Sequence, residues 1–404
     1  MGTGPHETEI SERLKNVKLC LMGPPLGECG GIQRVMVSVA NELAKEHEVT
    51  LLSIQNPKGN SYYEVDPSIR ICNMNREYGK KGQLLRRVMK KMVRSQSPVL
   101  PASVAAWTYY PKDLVKDLQQ ILTEGAFDAV IASAVPGTLL LGQAASGLKG
   151  MRLVGWHHNS FRIYFQTKGC GFYAQQRLAE KALKKLDQLV SLTRRDAEEY
   201  QRNMGLPCTY IYNPLSFFSE KKSEVNRKNL LFVSRLEVQQ KGLDFLVDIA
   251  EELFHRRGYY DWKLQIVGNG SGYEKLKTWI QERNLADQVE LLGEQKEVDP
   301  FYQNASVFLS TSRWEGFGVV ITEAMECGLP VVAFETDGPM EILENGKNGY
   351  LISNYELDKY ADAVENLMKD EALRWKMSRN AMERAKDFYP DKIVKEWEKV
   401  IEER

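Results

Sequence analysis

The chain has 404 residues, which is more than one hydrophobic core normally supports, so its length predicts two domains. Hydrophobic residues make up 43% of the chain and charged residues 27%, the composition of an ordinary globular protein. The 54 Lys and Arg residues balance the 54 Asp and Glu residues, which excludes a global electrostatic attraction to nucleic acid or to a membrane.

The cysteines and the apolar runs point to the cytoplasm. The six cysteines form no C-x-x-C pair and have no histidines at zinc spacing, which favours reduced thiols. No apolar run approaches the roughly 18 residues of a membrane span. The polar start MGTGPHETEI lacks the apolar core of a signal peptide. We expect residues 1–16 to form a disordered tail.

A strand, a glycine loop and a helix open the first domain. The apolar run Val17–Met22 predicts a buried strand, and an amphipathic helix is predicted over Ile32–Lys45. Gly30 and Gly31 in the loop between them permit close backbone approach to a ligand, although a purely structural turn is an equal alternative. The loop is not G-x-G-x-x-G, and no acidic residue ends the next strand, Glu48–Ile54. These absences disfavour a nicotinamide-dependent dehydrogenase.

The segment 76–94 breaks the neutrality of the chain, because eight basic residues accompany one acidic residue, Glu77. Apolar residues repeat within it at helical spacing, and basic residues fill the opposite face. This is the composition of a helix that lies on an anionic membrane surface, and we expect residues 83–94 to make that contact. The alternative is a solvated helix packed on its own domain.

Two adjacent histidines follow a later strand of the first domain. The predicted strand Arg152–Trp156 ends at His157 and His158, on the edge where open α/β sheets bind ligands. A structural, hydrogen-bonded histidine is the alternative. Thr193 is predicted to cap a charged helix after a further strand. Asn213-Pro214 breaks the pattern, so the first domain is predicted to span residues 17–214.

A second set of βα units is predicted over residues 215–388. Arg235 and Lys241 lie in one strand-to-helix connection, where a planar fork and a point charge can hold a diphosphate from two sides. Surface salt bridges are the alternative. The next strand, Lys263–Val267, runs into a glycine turn that begins at Gly268. A last amphipathic helix within residues 389–404 is predicted to cross back to the first domain.

The stretch from Ser312 to Pro330 contains two glutamates, Glu315 and Glu323, around a Gly-Phe-Gly segment. If Gly318 opens a helix, the backbone N–H groups of its first turn are unpaired and attract phosphate. Glu315 would precede that helix, and Glu323 would lie more than one turn inside it. Such a turn suits a nucleotide sugar, because the amides bind the diphosphate and the carboxylates bind sugar hydroxyls. The alternative is an ordinary strand-loop-helix junction with solvated glutamates.

Taken in order, these motifs resemble the retaining glycosyltransferases of family 4. The resemblance implies the α/β architecture called GT-B, in which two Rossmann-like domains face each other across a cleft. It covers nearly the whole chain. The residues that carry it are Gly30-Gly31-Ile32, Trp156-His157-His158, Ser234-Arg235-Leu236, Lys241-Gly242, Gly268-Asn269-Gly270, Glu315-Gly316-Phe317-Gly318, Glu323-Ala324-Met325, Gly328-Leu329-Pro330 and Asn348-Gly349.

The resemblance implies a role for each matching basic residue and turn. Arg235 and Lys241 would bind the donor diphosphate and stabilise the leaving group as the glycosidic bond breaks. Backbone groups would complete that cradle, namely those of Gly30, Gly31, Gly268, Phe317, Gly318 and Val319.

The resemblance also implies roles on the sugar side of the donor. Glu323 would accept hydrogen bonds from the ribose hydroxyls, and Glu315 from hydroxyls of the transferred sugar. His158 would lie near that sugar, although the neighbouring His157 leaves the assignment open by one residue.

The chemistry implied by the resemblance needs no cofactor and no metal. No D-x-D motif is present, so the basic pair must supply the charge that a divalent ion would otherwise bring. No motif identifies a carboxylate nucleophile for double displacement. The resemblance therefore implies same-face attack with retention, in which the departing phosphate accepts the proton of the acceptor.

These inferences predict a cytoplasmic hexosyltransferase with no nucleic-acid partner. The basic segment adds the expectation of peripheral contact with the inner face of the membrane. The donor is expected to be a UDP-linked sugar and the acceptor a glycan or a lipid-linked glycan of the bacterial cell surface. One alternative is a non-catalytic GT-B partner or chaperone of another transferase. The other is a nucleotide-sugar epimerase, for which Glu28 in the first glycine loop is the one favourable residue.

Overall fold

The computed structural model describes residues 16–54, 59–74, 106, 108–168, 172–353 and 355–403. The predicted tail and the predicted basic helix at 83–94 lie outside the described residues, apart from Asn16. Backbone contacts divide the chain into two units. The N-terminal unit runs to Pro214 and includes the final segment from Pro390, and the C-terminal unit is Leu215–Tyr389.

The described part of the N-terminal unit contains a seven-stranded parallel sheet in the order β3-β2-β1-β4-β5-β6-β7. Central strands β1 and β4 are apolar and buried along nearly their whole lengths, as expected when helices cover both faces of a parallel sheet. The strands are β1 (Lys18–Gly23), β2 (Glu48–Ile54), β3 (Arg70–Met74), β4 (Ala129–Ser133), β5 (Arg152–Trp156), β6 (Gln188–Ser191) and β7 (Cys208–Tyr210).

Helices cover this sheet, and the last helix of the chain is among them. Within the described residues they are α1 (Gly31–Leu43), α2 (Lys112–Gly125), α3 (Ala134–Ala144), α4 (Gln176–Leu183), α5 (Arg194–Met204) and α14 (Pro390–Glu402). Helix α14 packs against α1, and its buried Trp397 ring lies edge-on to Trp156 with centroids 4.7 Å apart. The predicted cap of α5 is confirmed, because the Thr193 side chain accepts a hydrogen bond from the Asp196 amide.

The C-terminal unit contains a six-stranded parallel sheet in the order β10-β9-β8-β11-β12-β13 over its described residues. Its strands are β8 (Asn229–Val233), β9 (Lys263–Val267), β10 (Val289–Gly293), β11 (Val307–Ser310), β12 (Val331–Phe334) and β13 (Gly349–Ile352). Its helices are α6 (Val238–Lys241), α7 (Leu243–Glu251), α8 (Tyr273–Glu282), α9 (Asp299–Gln303), α10 (Val319–Glu326), α11 (Asp337–Ile342), α12 (Leu357–Lys369) and α13 (Glu371–Ala385).

Both sheets reverse their strand order beside the first strand, between β1 and β4 and between β8 and β11. In open α/β sheets, ligands bind at such a switch point, outside the carboxyl ends of the strands. The prediction of two Rossmann-like α/β domains is therefore confirmed. None of the helices in the part of the chain that the structure describes is both long and apolar enough to cross a membrane.

Candidate active site

The two cations predicted to hold a diphosphate lie in the connection after β8, in different settings. Arg235 is exposed, and its Nη2 donates to Gln240 Oε1 at 3.4 Å. Lys241 ends the one-turn helix α6, which lies within the predicted strand-to-helix connection. Gly242 stops this helix because its φ of 60° lies in the left-handed region. A Cβ at Gly242 would lie 2.1 Å from the Thr311 carbonyl oxygen, so glycine also permits a close backbone approach.

Hydrogen bonds to backbone carbonyls join the loop that follows β11 to the segment carrying Lys241. Thr311 Oγ1 donates to the carbonyl oxygens of Lys241 at 2.8 Å and Gly242 at 3.1 Å. The Arg313 backbone amide donates to the Gln240 carbonyl at 2.8 Å. These bonds bring the residues after two neighbouring strands together at the switch point.

An ion pair reinforces this junction. The Arg313 guanidinium binds both Asp244 oxygens, at 2.9 and 2.5 Å, and lies 3.8 Å from the centroid of the Phe245 ring. Burial acts to raise the pKa of Asp244, but the hydrogen bonds and the charge of Arg313 outweigh it and lower the pKa below its usual value. Planar two-point pairing of this kind fixes orientation as well as distance.

Glu315 is held directly by Lys241. The Lys241 Nζ and Glu315 Oε2 atoms are 2.5 Å apart, and the two side chains are only 13% and 15% exposed. Ser312 Oγ donates to the same carboxylate oxygen at 3.2 Å. A residue predicted to bind phosphate and a residue predicted to bind sugar therefore form one ion pair.

Gly318 is the N-cap of α10, as the sequence predicts, and its φ of 101° requires glycine. No side chain of the described residues caps this end of the helix. The Val319 amide belongs to the first turn, whose N–H groups precede the hydrogen-bond ladder of the helix. The Phe317 side chain is buried beside Phe388, and the Phe317 carbonyl oxygen would lie 1.9 Å from a Cβ on Gly338. The backbone of α11 therefore packs against the turn at Phe317 and Gly318 and fixes its position.

Glu323 lies one turn inside α10 and is 1% exposed. Ser216 donates a hydrogen bond to Oε1, and the Tyr302 hydroxyl donates to Oε2 at 3.0 Å. Neither hydroxyl was singled out in the sequence. The predicted contact with ribose hydroxyls would replace a neutral partner that Glu323 already has.

A second buried glutamate on α10, Glu326, was also missed. Lys222 pairs with its Oε1, and the Tyr389 hydroxyl donates to its Oε2 at 3.1 Å. Glu326 follows Glu323 by three residues, and this helical spacing was the available signal. Helix α10 is therefore tied to both ends of its own unit, Leu215 to Lys222 and Tyr389.

Gly268 has a packing role in this structure. Its φ is 138°, and a Cβ there would lie 1.8 Å from the Ser234 carbonyl oxygen. The Leu236 amide donates to the Asn269 carbonyl at 2.8 Å, which joins this turn to the loop carrying Arg235. Gly268 therefore allows the turn to support the Arg235 loop.

The two adjacent histidines of the N-terminal unit have different environments. His157 is 1% exposed, with Nε2 2.9 Å from Thr138 Oγ1 and Nδ1 bonded to the Tyr200 hydroxyl. Burial lowers the pKa of His157 to about 3, so its ring is neutral at ordinary pH. These contacts identify His157 as a structural histidine.

His158 is partly exposed at the carboxyl end of β5. Its Nε2 lies 2.7 Å from Ser133 Oγ, at the end of β4, and its ring packs on Trp156 with centroids 4.4 Å apart. Desolvation, and to a lesser extent His157, lower the pKa of His158. The geometry therefore favours His158 as the histidine available to a ligand, in its neutral form. Ser133, which orients it, was missed in the sequence.

The first glycine loop is held by a tyrosine that the sequence analysis did not consider. The Tyr63 hydroxyl accepts from the Gly30 amide and donates to the Gly30 carbonyl, both at 3.2 Å. Gly30 is the N-cap of α1, and no atom of the described residues, apart from its chain neighbours, would lie within 4 Å of a Cβ on Gly31. The N-terminus of α1 is therefore open beside the switch point of its own sheet.

No three His, Cys, Asp or Glu side chains in the described ranges come together as a possible metal site. The metal-free chemistry expected from the sequence stays a prediction. What the described residues do offer is fixed positive charge and an uncapped helix end, both suited to an anionic leaving group.

Comparison with known proteins identifies the family. A model described as Glycosyltransferase Family 4 matches residues 29–216, and one described as Glycosyl transferases group 1 matches residues 216–384. An uncharacterized glycosyltransferase of Haemophilus influenzae is 27% identical over 383 residues, covering 93% of this chain and 97% of that protein. The two family models together span nearly the whole chain.

Other similar proteins differ more in length or sequence. The poly(ribitol-phosphate) alpha-N-acetylglucosaminyltransferase of Staphylococcus aureus is 25% identical over 328 residues, covering 80% of this chain and 62% of that protein. Among solved structures, a mutant of S. aureus TarM in complex with alpha-GlcNAc-glycerol and UDP has a TM-score of 0.74 at 15% identity. That alignment covers 96% of this chain and 100% of TarM. With two Rossmann-like units and both family models matched in order, the chain belongs to the family 4 glycosyltransferases of the GT-B fold.

Proposed function

We propose that this chain is a retaining hexosyltransferase that uses a UDP-linked sugar and acts on a glycan or lipid-linked acceptor of the bacterial cell surface. The observation that carries the proposal is the meeting of Lys241, Glu315 and the N-terminus of α10 at the switch point of the C-terminal sheet. The S. aureus relative, named for transfer of an α-linked sugar to a poly(ribitol-phosphate), and the UDP bound to TarM support the choice of substrates.

The proposed mechanism assigns the charged groups to the leaving group. As the bond between the anomeric carbon and the phosphate oxygen breaks, negative charge grows on the diphosphate. Arg235, Lys241 and the first-turn amides of α10 stabilise that charge. The acceptor hydroxyl attacks from the same face, forms the new glycosidic bond and passes its proton to the departing phosphate. No metal takes part in this scheme.

The neutral and acidic side chains are assigned to the sugars. Glu315 accepts hydrogen bonds from the transferred hexose, and Glu323 accepts them from the ribose in place of Ser216. The neutral His158 ring interacts with a hydroxyl near the anomeric centre. A buried carboxylate distinguishes strongly between a sugar that carries the hydrogen-bonding hydroxyl and one that lacks it. The sugar without the hydroxyl leaves the carboxylate unpaired.

The test is a panel of nucleotide sugars scored by slow background hydrolysis, which finds the donor without knowledge of the acceptor. We expect one UDP-hexose to be hydrolysed fastest, in the presence of EDTA as in its absence. Glu315→Ala should lower the rate by about a hundredfold, the cost of removing one transition-state contact group. Hydrolysis by Glu315→Ala at the unmodified rate would overturn the site assignment.

The same panel separates the alternatives. UDP binding with neither hydrolysis nor transfer would identify a non-catalytic partner, and appearance of an epimeric nucleotide sugar would identify an epimerase. Once an acceptor is found, the anomeric coupling constant of the product in proton NMR reports the stereochemistry. A β-linked product from an α-linked donor would contradict retention.

The membrane contact proposed for residues 83–94 rests on their sequence alone. Anionic lipid attracts a basic segment by about 1 kcal/mol per charge close to the surface. Sedimentation with anionic vesicles should therefore weaken when Arg86, Arg87, Lys90 and Lys91 are replaced by Gln. Unchanged sedimentation would remove the membrane from the proposal.

A further inference from the structure

Lys241 and Glu315 neutralise each other in this structure, and this pairing bears on how a nucleoside diphosphate binds and leaves. The inference rests on the proposed function, in which Lys241 holds the diphosphate. We propose that Glu315 is the internal counter-ion of Lys241. An arriving diphosphate takes Lys241 away from Glu315, and Glu315 takes it back as the nucleoside diphosphate departs. Glu315 therefore weakens the binding of the product and speeds its release, in addition to any contact with sugar.

Because the Lys241–Glu315 pair is buried, opening it has a large effect on the affinity for the diphosphate. The Nζ and Oε2 atoms are 2.5 Å apart and both side chains are largely buried, so solvent screens the interaction little. A diphosphate placed against Lys241 adds negative charge next to the Glu315 carboxylate. The diphosphate can take Lys241 only if the ion pair with Glu315 opens, and the loss of that pairing reduces the affinity for the diphosphate.

Glu315 keeps a hydrogen-bond donor when Lys241 moves to the diphosphate. Ser312 Oγ donates to Glu315 Oε2 at 3.2 Å, so the carboxylate keeps a hydrogen bond after the ion pair opens. The exchange does not strand a buried charge, which would cost several kcal/mol. The hydroxyls of the transferred sugar can serve as further donors.

Among the residues that the structure describes, no carboxylate forms an ion pair with the second cation of the site, Arg235. Arg235 is exposed, and its Nη2 contacts the neutral Gln240 amide oxygen at 3.4 Å. The two cations thus have separate tasks in diphosphate binding. Arg235 can bind the diphosphate without breaking an ion pair, whereas Lys241 must first give up its ion pair with Glu315.

The same junction contains a static ion pair that serves as a control. Arg313 binds Asp244 at two points, and its Nη1 also lies 3.3 Å from the Val238 carbonyl oxygen. This guanidinium is held from several sides and is not assigned to phosphate. Removing the Asp244 charge changes the net charge of the site by the same amount as removing the Glu315 charge, without touching Lys241.

The experiment measures UDP affinity by titration calorimetry for the unmodified protein and for E315Q, D244N, K241M and the double variant K241M/E315Q. Glutamine keeps the shape of Glu315 and its bond with Ser312. We expect E315Q to bind UDP about tenfold more tightly, equivalent to about 1.4 kcal/mol. D244N should change affinity by less than about twofold, and E315Q should have no effect once Lys241 is Met.

Each result supports or overturns the proposal. Unchanged or weaker UDP binding by E315Q overturns it, as does an equal gain in D244N or a gain that persists in the Lys241→Met background. If E315Q does not fold, Glu315→Ala carries the same expectation, with thermal unfolding as the check. Failure of the unmodified protein to bind any nucleoside diphosphate overturns the proposed function as well, whereas binding without the E315Q effect overturns this inference alone. The UDP dissociation rate, measured by stopped flow, should fall in E315Q in proportion to the gain in affinity.

Discussion

The two parallel sheets end in the same kind of edge, yet the side chains gathered there carry charge in the C-terminal unit and are neutral in the N-terminal unit. Beyond β8 and β11 stand the pairs Lys241 with Glu315 and Arg313 with Asp244. At the carboxyl ends of β4 and β5 lie Ser133 and His158, and the lowered pKa of His158 keeps its ring neutral. The two sheets share the reversal of strand order beside their first strand, so they differ in the side chains at that edge and not in topology.

The difference suggests that the two edges bind different chemical groups. Phosphate needs fixed positive charge and backbone donors, which the C-terminal edge supplies. Sugar hydroxyls pair with neutral groups as well as with carboxylates such as Glu315, and a desolvated imidazole and a serine hydroxyl supply the neutral partners. A fold places such groups, but only the groups themselves indicate a function. The predictions below test whether charge matters at one edge and neutrality at the other.

The largest effect is expected from the charged edge. Lys241→Met should lower kcat/KM for transfer by about 10² to 10³, because a transition-state charge loses its partner in a site with little solvent. Lys275→Met is the matched control and should leave kcat/KM unchanged, because Lys275 is an exposed lysine whose Nζ lies 4.7 Å from the centroid of the Trp279 ring. Initial rates with the donor found in the panel measure both. If Lys241→Met keeps more than about a tenth of the activity, the diphosphate does not bind at this edge.

The next prediction separates the two histidines of the neutral edge. His157→Ala removes a buried ring and strands the Thr138 and Tyr200 hydroxyls, so the free energy of unfolding should fall by about 2 to 4 kcal/mol. His158→Ala should change stability by less than about 1 kcal/mol and lower kcat/KM about tenfold, the value of one hydrogen bond to substrate. Urea unfolding and initial rates distinguish the two residues. The reverse pattern would make His157 the ligand-binding residue.

The position of each candidate site residue at a strand end could be predicted from local sequence, but its partner could not. Apolar strands followed by glycines or charges mark strand ends, and this pattern locates His158, Arg235, Lys241 and Glu315 correctly at sheet edges. The bond between Lys241 and Glu315 spans 74 residues, and that between Ser216 and Glu323 spans 107. Contacts at such separations depend on tertiary packing, which local periodicity does not encode.

The missed elements have different causes. Strand β3 has a half-exposed pattern without a continuous apolar run, as expected of an edge strand, so the sequence carries little signal for it. Helix α2 does carry a signal, because Leu114, Leu118 and Leu122 repeat every four residues and are buried. Helix α3 begins at Ala134, directly after β4, because a φ of 64° at Ala134 turns the chain out of the strand without an intervening loop.

The buried state of His157 predicts a pH dependence of stability. Burial lowers its pKa from 6.5 to about 3, so below pH 6.5 the unfolded chain binds a proton that the folded chain does not. The free energy of unfolding should therefore fall as pH falls, by about 1.4 kcal/mol per pH unit for this histidine, and gain nothing above pH 7. His157→Gln should reduce the slope between pH 6 and pH 4 by that amount in urea unfolding. An unchanged slope would mean that the ring is not desolvated.

The smallest effect tests whether the neutral edge is organised for a ligand or only for folding. Ser133→Ala removes the group that lies 2.7 Å from His158 Nε2, and should lower kcat/KM about three- to fivefold, since one neutral hydrogen bond orients the ring. Thr138→Val makes the matched change beside His157, and should lower stability by about 1 kcal/mol while leaving kcat/KM unchanged. Equal effects of both substitutions on stability, with none on rate, would reduce Ser133 and His158 to packing residues. If Ser133→Ala lowers kcat/KM and Thr138→Val does not, the edge that carries His158 is part of the reaction site. The His158 ring is already uncharged, so the loss of rate would come from the loss of its orientation.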